Sequence, residues 1–249
     1  MRWRAVRVGL MVQLVLVASG VWSGSTAAEP VSGPHGTLDY RLTTTHPDAP
    51  AGWTFTGTYH AAGNPDAYPP YMRRMTFYHP PGWQFDTRVP ARCTASDLEL
   101  AVRGPDACPA DSRVGGGTVW ISFMGGVPRP SAVDHFNNTN EQIVLGRSPG
   151  LATIVRAKIN PDGSVAYESP TCYPSVPPLG CPVDNALQVK SSIEAPPYTK
   201  PSGHRVRSYI TTPPECPAEG HWATPVRFWW ADGSVETVVT EQPCAPESR

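Results

Sequence analysis

Apolar and polar side chains alternate along much of this chain. In AGWTFTGTYH, Trp53, Phe55 and Tyr59 share one face of an extended backbone while Thr54, Thr56 and Thr58 share the other. A period of two marks a strand buried on one face only. The pattern recurs in TLDYRL through Leu38, Tyr40 and Leu42, and in TVWISF through Val119, Ile121 and Phe123. It returns in ALQVKSSI, where Leu187, Val189 and Ile193 are expected on one face. RMTFY, QIVLG, ATIVRAKI, VRSYITT, TPVRFWW and SVETVVT add strand candidates rich in β-branched or aromatic residues. About ten short strands between Pro and Gly breaks predict an all-β fold, an antiparallel β-sandwich of jelly-roll or immunoglobulin-like kind.

Two turns sharpen that expectation. INPDGSV places proline where φ near −65° is wanted and glycine where φ must be positive. Ala152 to Ile159 should therefore fold back on Ser164 to Glu168. WADGSV repeats this chemistry and should turn Val226 to Trp230 onto Val235 to Thr240. Adjacent Trp229 and Trp230 must then point to opposite faces. One short helix is predicted after Cys93, capped by Thr94 with Asp97 three positions on, packed through Leu98, Leu100 and Val102, and stopped by Gly104-Pro105. YPSVPPLGCP interrupts the pattern, so a single domain over residues 29–249 competes with two smaller sandwiches divided near Pro170 to Pro182.

Composition agrees with sheet over helix. The 30 prolines all follow the first 28 residues, and proline lacks the N–H that a helix interior needs. Those first residues differ from the rest. MRWRAVR carries three arginines and no acid, VGLMVQLVLVASGVW is apolar, and SGSTAAEP offers small residues for cleavage after Ala28. This is the pattern of a secretory signal peptide, and a secreted, extracellular location follows. No later stretch approaches the roughly 18 apolar residues of a spanning helix, so no transmembrane segment is expected in the mature chain. Beyond the leader, 17 basic face 21 acidic side chains, and the cations are scattered. No basic stripe for nucleic acid is present.

Export decides how the cysteines are read. Six are present, at Cys93, Cys108, Cys172, Cys181, Cys216 and Cys244, and six allow 15 complete pairings. Proximity favours Cys93 with Cys108, Cys172 with Cys181, and Cys216 with Cys244, as structural disulfides. The first would staple both ends of the helical excursion, raising the question whether it plugs one end of the sandwich. Neither C-x-x-C nor H-x-x-x-H spacing occurs, so no metal and no cofactor are expected.

Three other patterns carry candidate chemistry. Gly115 to Gly117 run into a strand rather than opening a helix, which fits a bulge or a close backbone approach and not a phosphate cradle. Gly146-Arg147-Ser148-Pro149-Gly150 matches G-x-S-x-G and is trailed by Asp184 and His204. Pro149, however, lacks the N–H that such an elbow donates to an oxyanion, and a surface turn is the better reading. DHFNNTNEQ offers Asp134, Asn137, Asn138, Asn140 and Glu141 as oxygen ligands but lacks the order of a calcium loop, and reads as a solvated connection. Its Asn137-Asn138-Thr139 also fits the glycosylation acceptor pattern. The seven histidines are dispersed and read as solvated loop residues.

Aromatic residues give the remaining clue. Between Gly63 and Asp86, Tyr68, Tyr71 and Trp83 stand among prolines in expected loops, where binding sites often lie. They are the candidate ligand-binding residues for stacking on sugars.

HPPGWQFDTRVPARCTASDLELAVRGPDACPADSRVGGGTV resembles a motif of secreted β-rich proteins of high-GC bacteria, a PPG-x-x-F-D lead followed by a cysteine, a short helix and CP-x-x-S-R-V-G. ECPAEGHWATPVRFWWADGSVETVVTEQPC is similar to the end of such proteins. No activity is established for that family. The resemblance implies export and the pairings Cys93 with Cys108 and Cys216 with Cys244.

The expectation for function is a secreted, non-catalytic binding or structural protein of unknown partner. A carbohydrate-binding module using Tyr68, Tyr71 and Trp83 on a cell-surface or extracellular polysaccharide is the first alternative, and an extracellular hydrolase the second. An apolar-ligand carrier is a further one, and predicts a sizeable pocket between the sheets.

Overall fold

The structure, a computed structural model, describes residues 30–123, 125–168, 171–174 in backbone only, and 186–245. The expected leader and its cleavage after Ala28, Asp184, and the expected pairing of Cys172 with Cys181 lie outside the described residues.

The chain opens with β1 (Val31–Gly33), β2 (Gly36–Leu42) and β3 (Trp53–Tyr59), then β4 (Met72–Phe77) and the short β5 (Gln84–Phe85). Helix α1 (Asp97–Arg103) follows, and then the meander β6 (Arg113–Phe123), β7 (Arg129–Asn138), β8 (Glu141–Ser148), β9 (Leu151–Ile159) and β10 (Val165–Glu168). Next come β11 (Thr171–Pro174), β12 (Ala186–Ala195), β13 (Thr199–Ser202), β14 (Arg205–Ser208) and β15 (Ile210–Thr211). The hairpin of β16 (His221–Trp230) and β17 (Val235–Pro243) ends the fold.

Thirteen of these strands form one antiparallel sheet in the order β1-β2-β3-β12-β6-β7-β8-β9-β10-β4-β16-β17, with β11 paired to β9 beside it. The all-β, antiparallel, disulfide-stapled reading with one short helix holds. The expected two stacked sheets do not appear as such. A single sheet curls nearly shut into a barrel-like form, because β17 returns to lie against β1 and β2. Strands on both sides of residues 170–182 share it, with β12 lying between β3 and β6.

Side chains close the seam. Gln242 on β17 accepts from the Leu42 N–H at 3.1 Å and donates to the Tyr40 carbonyl, so its amide takes the place of a peptide group on a neighbouring strand. Glu236 accepts from the His35 N–H at 3.3 Å and from the Trp230 indole at 3.2 Å. An edge whose N–H and C=O groups are met in this way is no longer open for pairing with another chain.

Both expected hairpins form. Gly163 and Gly233 take φ of 80° and 88° at their turns, and Val165 pairs with Ile159 and Val235 with Trp229. Trp230 turns inward at 2 % exposure, while Trp229 lies outside beneath the Arg74 and Arg227 guanidinium groups. Alternation on β3 is complete, with Trp53, Phe55 and Tyr59 buried and all three threonines exposed. On β12 it fails. A register shift between Gln188 and Lys190 breaks the period, so Ala186 and Gln188 face the lumen with Ile193, and not Leu187 and Val189.

Helix α1 is capped two residues later than expected. Ser96, not Thr94, accepts from the Glu99 N–H, and the Glu99 carboxylate accepts from the Ser96 N–H at 2.8 Å. This reciprocal pair satisfies two orphan donors at once, which Thr94 with Asp97 could not do from outside the first turn. Only Leu100 is buried; Leu98 and Val102 are 64 % and 76 % exposed. The helix does not plug an end of the barrel. It packs on the outer wall, where Leu100 meets Phe136, Ile143, Leu145 and Ile154, and Arg156 on β9 binds Asp97 and the Ala95 carbonyl.

The disulfides Cys93–Cys108 and Cys216–Cys244 are both present. Closing 15 residues, as the first does, removes unfolded-state freedom worth roughly 3 kcal/mol. Replacing Cys93 and Cys108 together by serine should lower stability by about 3 kcal/mol in a denaturant titration and leave the far-ultraviolet circular dichroism of the sheet unchanged. A loss of the sheet signal in the double variant without denaturant would contradict the placement of α1 on the outer wall.

Candidate functional site

The interior of the curled sheet has two parts. On the side of β2, β3, β16 and β17, aromatic rings fill it: Tyr40, Phe55, Tyr59, Phe228 and Trp230 pack tilted, edge-to-face or stacked, with centroids 5.4 to 6.2 Å from their ring neighbours. The segment through Trp83 and Phe85, with Tyr209, packs against the aromatic cluster, where Gln142 donates to the Tyr209 hydroxyl and accepts from the Tyr167 hydroxyl.

On the side of β6 to β9 and β12, a cavity of about 170 Å³ remains. Its walls follow from strand parity. Val119, Ile121 and Phe123 project inward from β6, as their alternation predicts, and Val133 and Val144 project from β7 and β8. Trp53, Phe55, Met75 and Phe77 separate it from the aromatic core. The lining is predominantly apolar. Arg74 and Glu168 also border the cavity, paired to each other at 3.2 Å.

Ser131, Ser148, Thr153, Gln188 and His135 add polar groups to the lining, and His135 is the buried one whose ring is left over. It is 3 % exposed, its ring lies edge-on to Trp53 at 5.9 Å, and neither ring nitrogen has a hydrogen-bond partner among the described residues. Burial, with the Arg113 charge adding to it, pushes its pKa down to about 4, so the imidazole is neutral at pH 7. His79 is also held down at about 4 by burial, the Gly163 hydrogen bond opposing the shift. Its nitrogens, though, are engaged by the Gly163 carbonyl at 2.9 Å and the Tyr40 hydroxyl at 3.3 Å, and its ring stacks on Trp83 at 4.8 Å. His35 is 4 % exposed and bound to Glu236 at 3.2 Å. The expectation of solvated loop histidines therefore fails for these three, because each lies against the sheet interior or its seam.

The three candidate aromatics do not share a face. Tyr68 is exposed and donates to the Gly126 carbonyl at 3.1 Å, Tyr71 borders the cavity, and Trp83 is 5 % exposed within the core. DHFNNTNEQ is not a solvated connection but the end of β7 and start of β8. Its polar groups bind one another and the wall: Asp134 pairs with Arg113 at 2.7 Å and Arg147 at 3.0 Å, and Glu141 with Arg156 at 3.1 Å. Asn137 is fully buried and donates to the Thr87 and Ala91 carbonyls, which leaves its amide no room for a glycan in the folded chain. Among the described residues no three His, Cys, Asp or Glu side chains converge as metal ligands. Ser148 ends β8 at a hairpin turn through Pro149-Gly150, with no helix after it. Neither His135 nor His79 hydrogen-bonds a serine or a carboxylate, so no base and nucleophile are assembled at these two rings.

His135 is the site residue that sequence reasoning passed over. Its only signal was its position two residues after Val133 and four after Ser131, an alternation masked by the charged and amide residues around it.

No helix among the described residues is long and apolar enough to cross a membrane. No family model, curated protein or solved structure matches this chain.

Proposed function

We propose that this protein is a secreted, non-catalytic carrier that holds a small apolar molecule inside its curled sheet. The cavity carries this reading: space of about 170 Å³ bounded on most sides by Val, Ile, Phe, Met and Trp side chains. Apolar cavities of this size stay dry and gain from an apolar occupant, because such a guest restores dispersion contacts that the empty lining lacks. Export is supported by the leader pattern and by two disulfides, which persist in oxidising compartments.

The test is titration of the purified protein with toluene, followed by calorimetry or by ligand-observed NMR. A single saturable site is expected, with a melting temperature that rises with toluene concentration. Val144→Phe, which fills the lumen from β8, should abolish the binding while the variant still melts cooperatively. Unsaturable uptake, or full binding by Val144→Phe, would place the ligand elsewhere and overturn the reading.

A further inference from the structure

We infer that the occupant is a single-ring aromatic molecule carrying one uncharged hydroxyl, a phenol, with its hydroxyl hydrogen-bonded to His135. This rests on the cavity reading above and deepens it.

Size sets the first limit. A cavity near 150 Å³ lined by aliphatic and aromatic side chains takes one benzene ring, and this one is of that order. Trp53, Phe55, Phe77 and Tyr167 border it, and ring edges and faces at van der Waals range favour an aromatic guest over a branched chain of equal volume.

His135 sets the second. A buried donor and acceptor left unmade are costly, so an occupant that meets them is favoured over one that does not. The nearby Tyr167 hydroxyl is already engaged by Gln142 at 2.7 Å, and of the other polar side chains on the lining, Ser131, Ser148, Thr153 and Gln188, none is a buried group left without a partner as His135 is.

Charge sets the third. A neutral imidazole presents one N–H and one lone pair, and a hydroxyl can pair with either. A carboxylate cannot. It would shed its water in a mostly apolar space with no free cation among the described lining residues, because Arg74 is held by Glu168 and lies over Trp229. Phenol, with a pKa near 10, stays uncharged at neutral pH.

Calorimetric titration with phenol, toluene and benzoate, on wild type, His135→Phe and His135→Gln, tests the inference. Phenol should lose about tenfold or more in affinity in His135→Phe while toluene keeps its own within about threefold, and His135→Gln should recover part of the phenol binding. Benzoate should bind weakly throughout. If phenol and toluene shift together in His135→Phe, or benzoate matches phenol in wild type, the hydroxyl assignment falls while the carrier stands. If wild type binds neither phenol nor toluene, the carrier falls too. Should His135→Phe fail to fold, the ¹⁵N signals of the His135 ring in wild type decide instead. Phenol must move them more than toluene does, and equal shifts overturn the inference.

Discussion

Between pH 6.5 and pH 4 this protein should lose stability steeply, because unfolding there takes up about two protons at His79 and His135. Both have folded pKa values near 4, below the unfolded value of about 6.5. The unfolded chain therefore protonates first. The stabilisation is fully present above pH 6.5, is lost as pH falls toward 4, and changes no further once both states are protonated. Two protons correspond to a slope of about 2.7 kcal/mol per pH unit at the centre of the window. Each ring supplies at most about 3 kcal/mol, and His79, which keeps some exposed surface, less than His135.

Carboxylates act lower on the scale. At Asp86, burial works upward, but hydrogen bonds from Arg88 and Arg207 outweigh it and hold the pKa at about 2, so its contribution disappears only below about pH 4. Urea unfolding at pH 7, 6, 5 and 4.5 separates the two. The midpoint should fall sharply across that series, and His135→Phe should flatten the fall by about half. A midpoint independent of pH above 5 would mean that neither ring is buried neutral. Saturating phenol, by holding His135 neutral, should also move the acid midpoint down.

The elements legible in the sequence were those specified by their own residues. β3 declared itself through three aromatics and three threonines in strict alternation, and each turn through Asp-Gly with the backbone that glycine permits. The Cys93–Cys108 and Cys216–Cys244 pairs followed from nearness along the chain. What failed depended on partners distant in sequence. β7 looked like a solvated connection because Asp134, His135 and Asn137 are polar. Their burial is allowed only by Arg113, Arg147 and the Thr87 and Ala91 carbonyls, or, for His135, by a cavity.

Closure was hidden for the same reason. Whether antiparallel strands make two layers or one curled sheet depends on which strands meet, and β3 meets β12 while β4 meets β10 and β16 across long stretches of chain. Gln242 gives no local sign that it will serve as a peptide group for β2. The cavity is illegible by the same logic, since its walls come from many strands, and a single bulge on β12 exchanges which residues face it.

The glycine run is where sequence and closure meet, and Gly117→Ala should be among the most damaging small substitutions in the chain. A Cβ at Gly117 would lie 2.1 Å from the Ser192 carbonyl oxygen and 2.8 Å from the Ile193 Cα, both backbone atoms of β12. One at Gly115 would meet the Glu194 oxygen at 2.6 Å. With the register shift between Arg113 and Gly115, these glycines let β6 bend toward β12 as the sheet coils. Bulges and glycines placed together are a general device for such curvature. Because backbone cannot yield as a flexible side chain does, the methyl group must push β6 away from β12, at a cost of about 3 kcal/mol or more. For a domain of this size that is a drop of roughly 6–12 °C in melting temperature. Gly126→Ala, where the nearest atom stands at 3.1 Å, serves as the milder control and should shift the melt by no more than about a third as much. Val119 and Ile121 follow Gly117 on the cavity wall, so a displaced β6 also widens the lumen, and toluene affinity should fall in step with stability. A Gly117→Ala protein that melts with wild type would show that β6 does not need its glycines to approach β12, and the curl of the sheet would then have to be attributed to strand twist and the bulges alone.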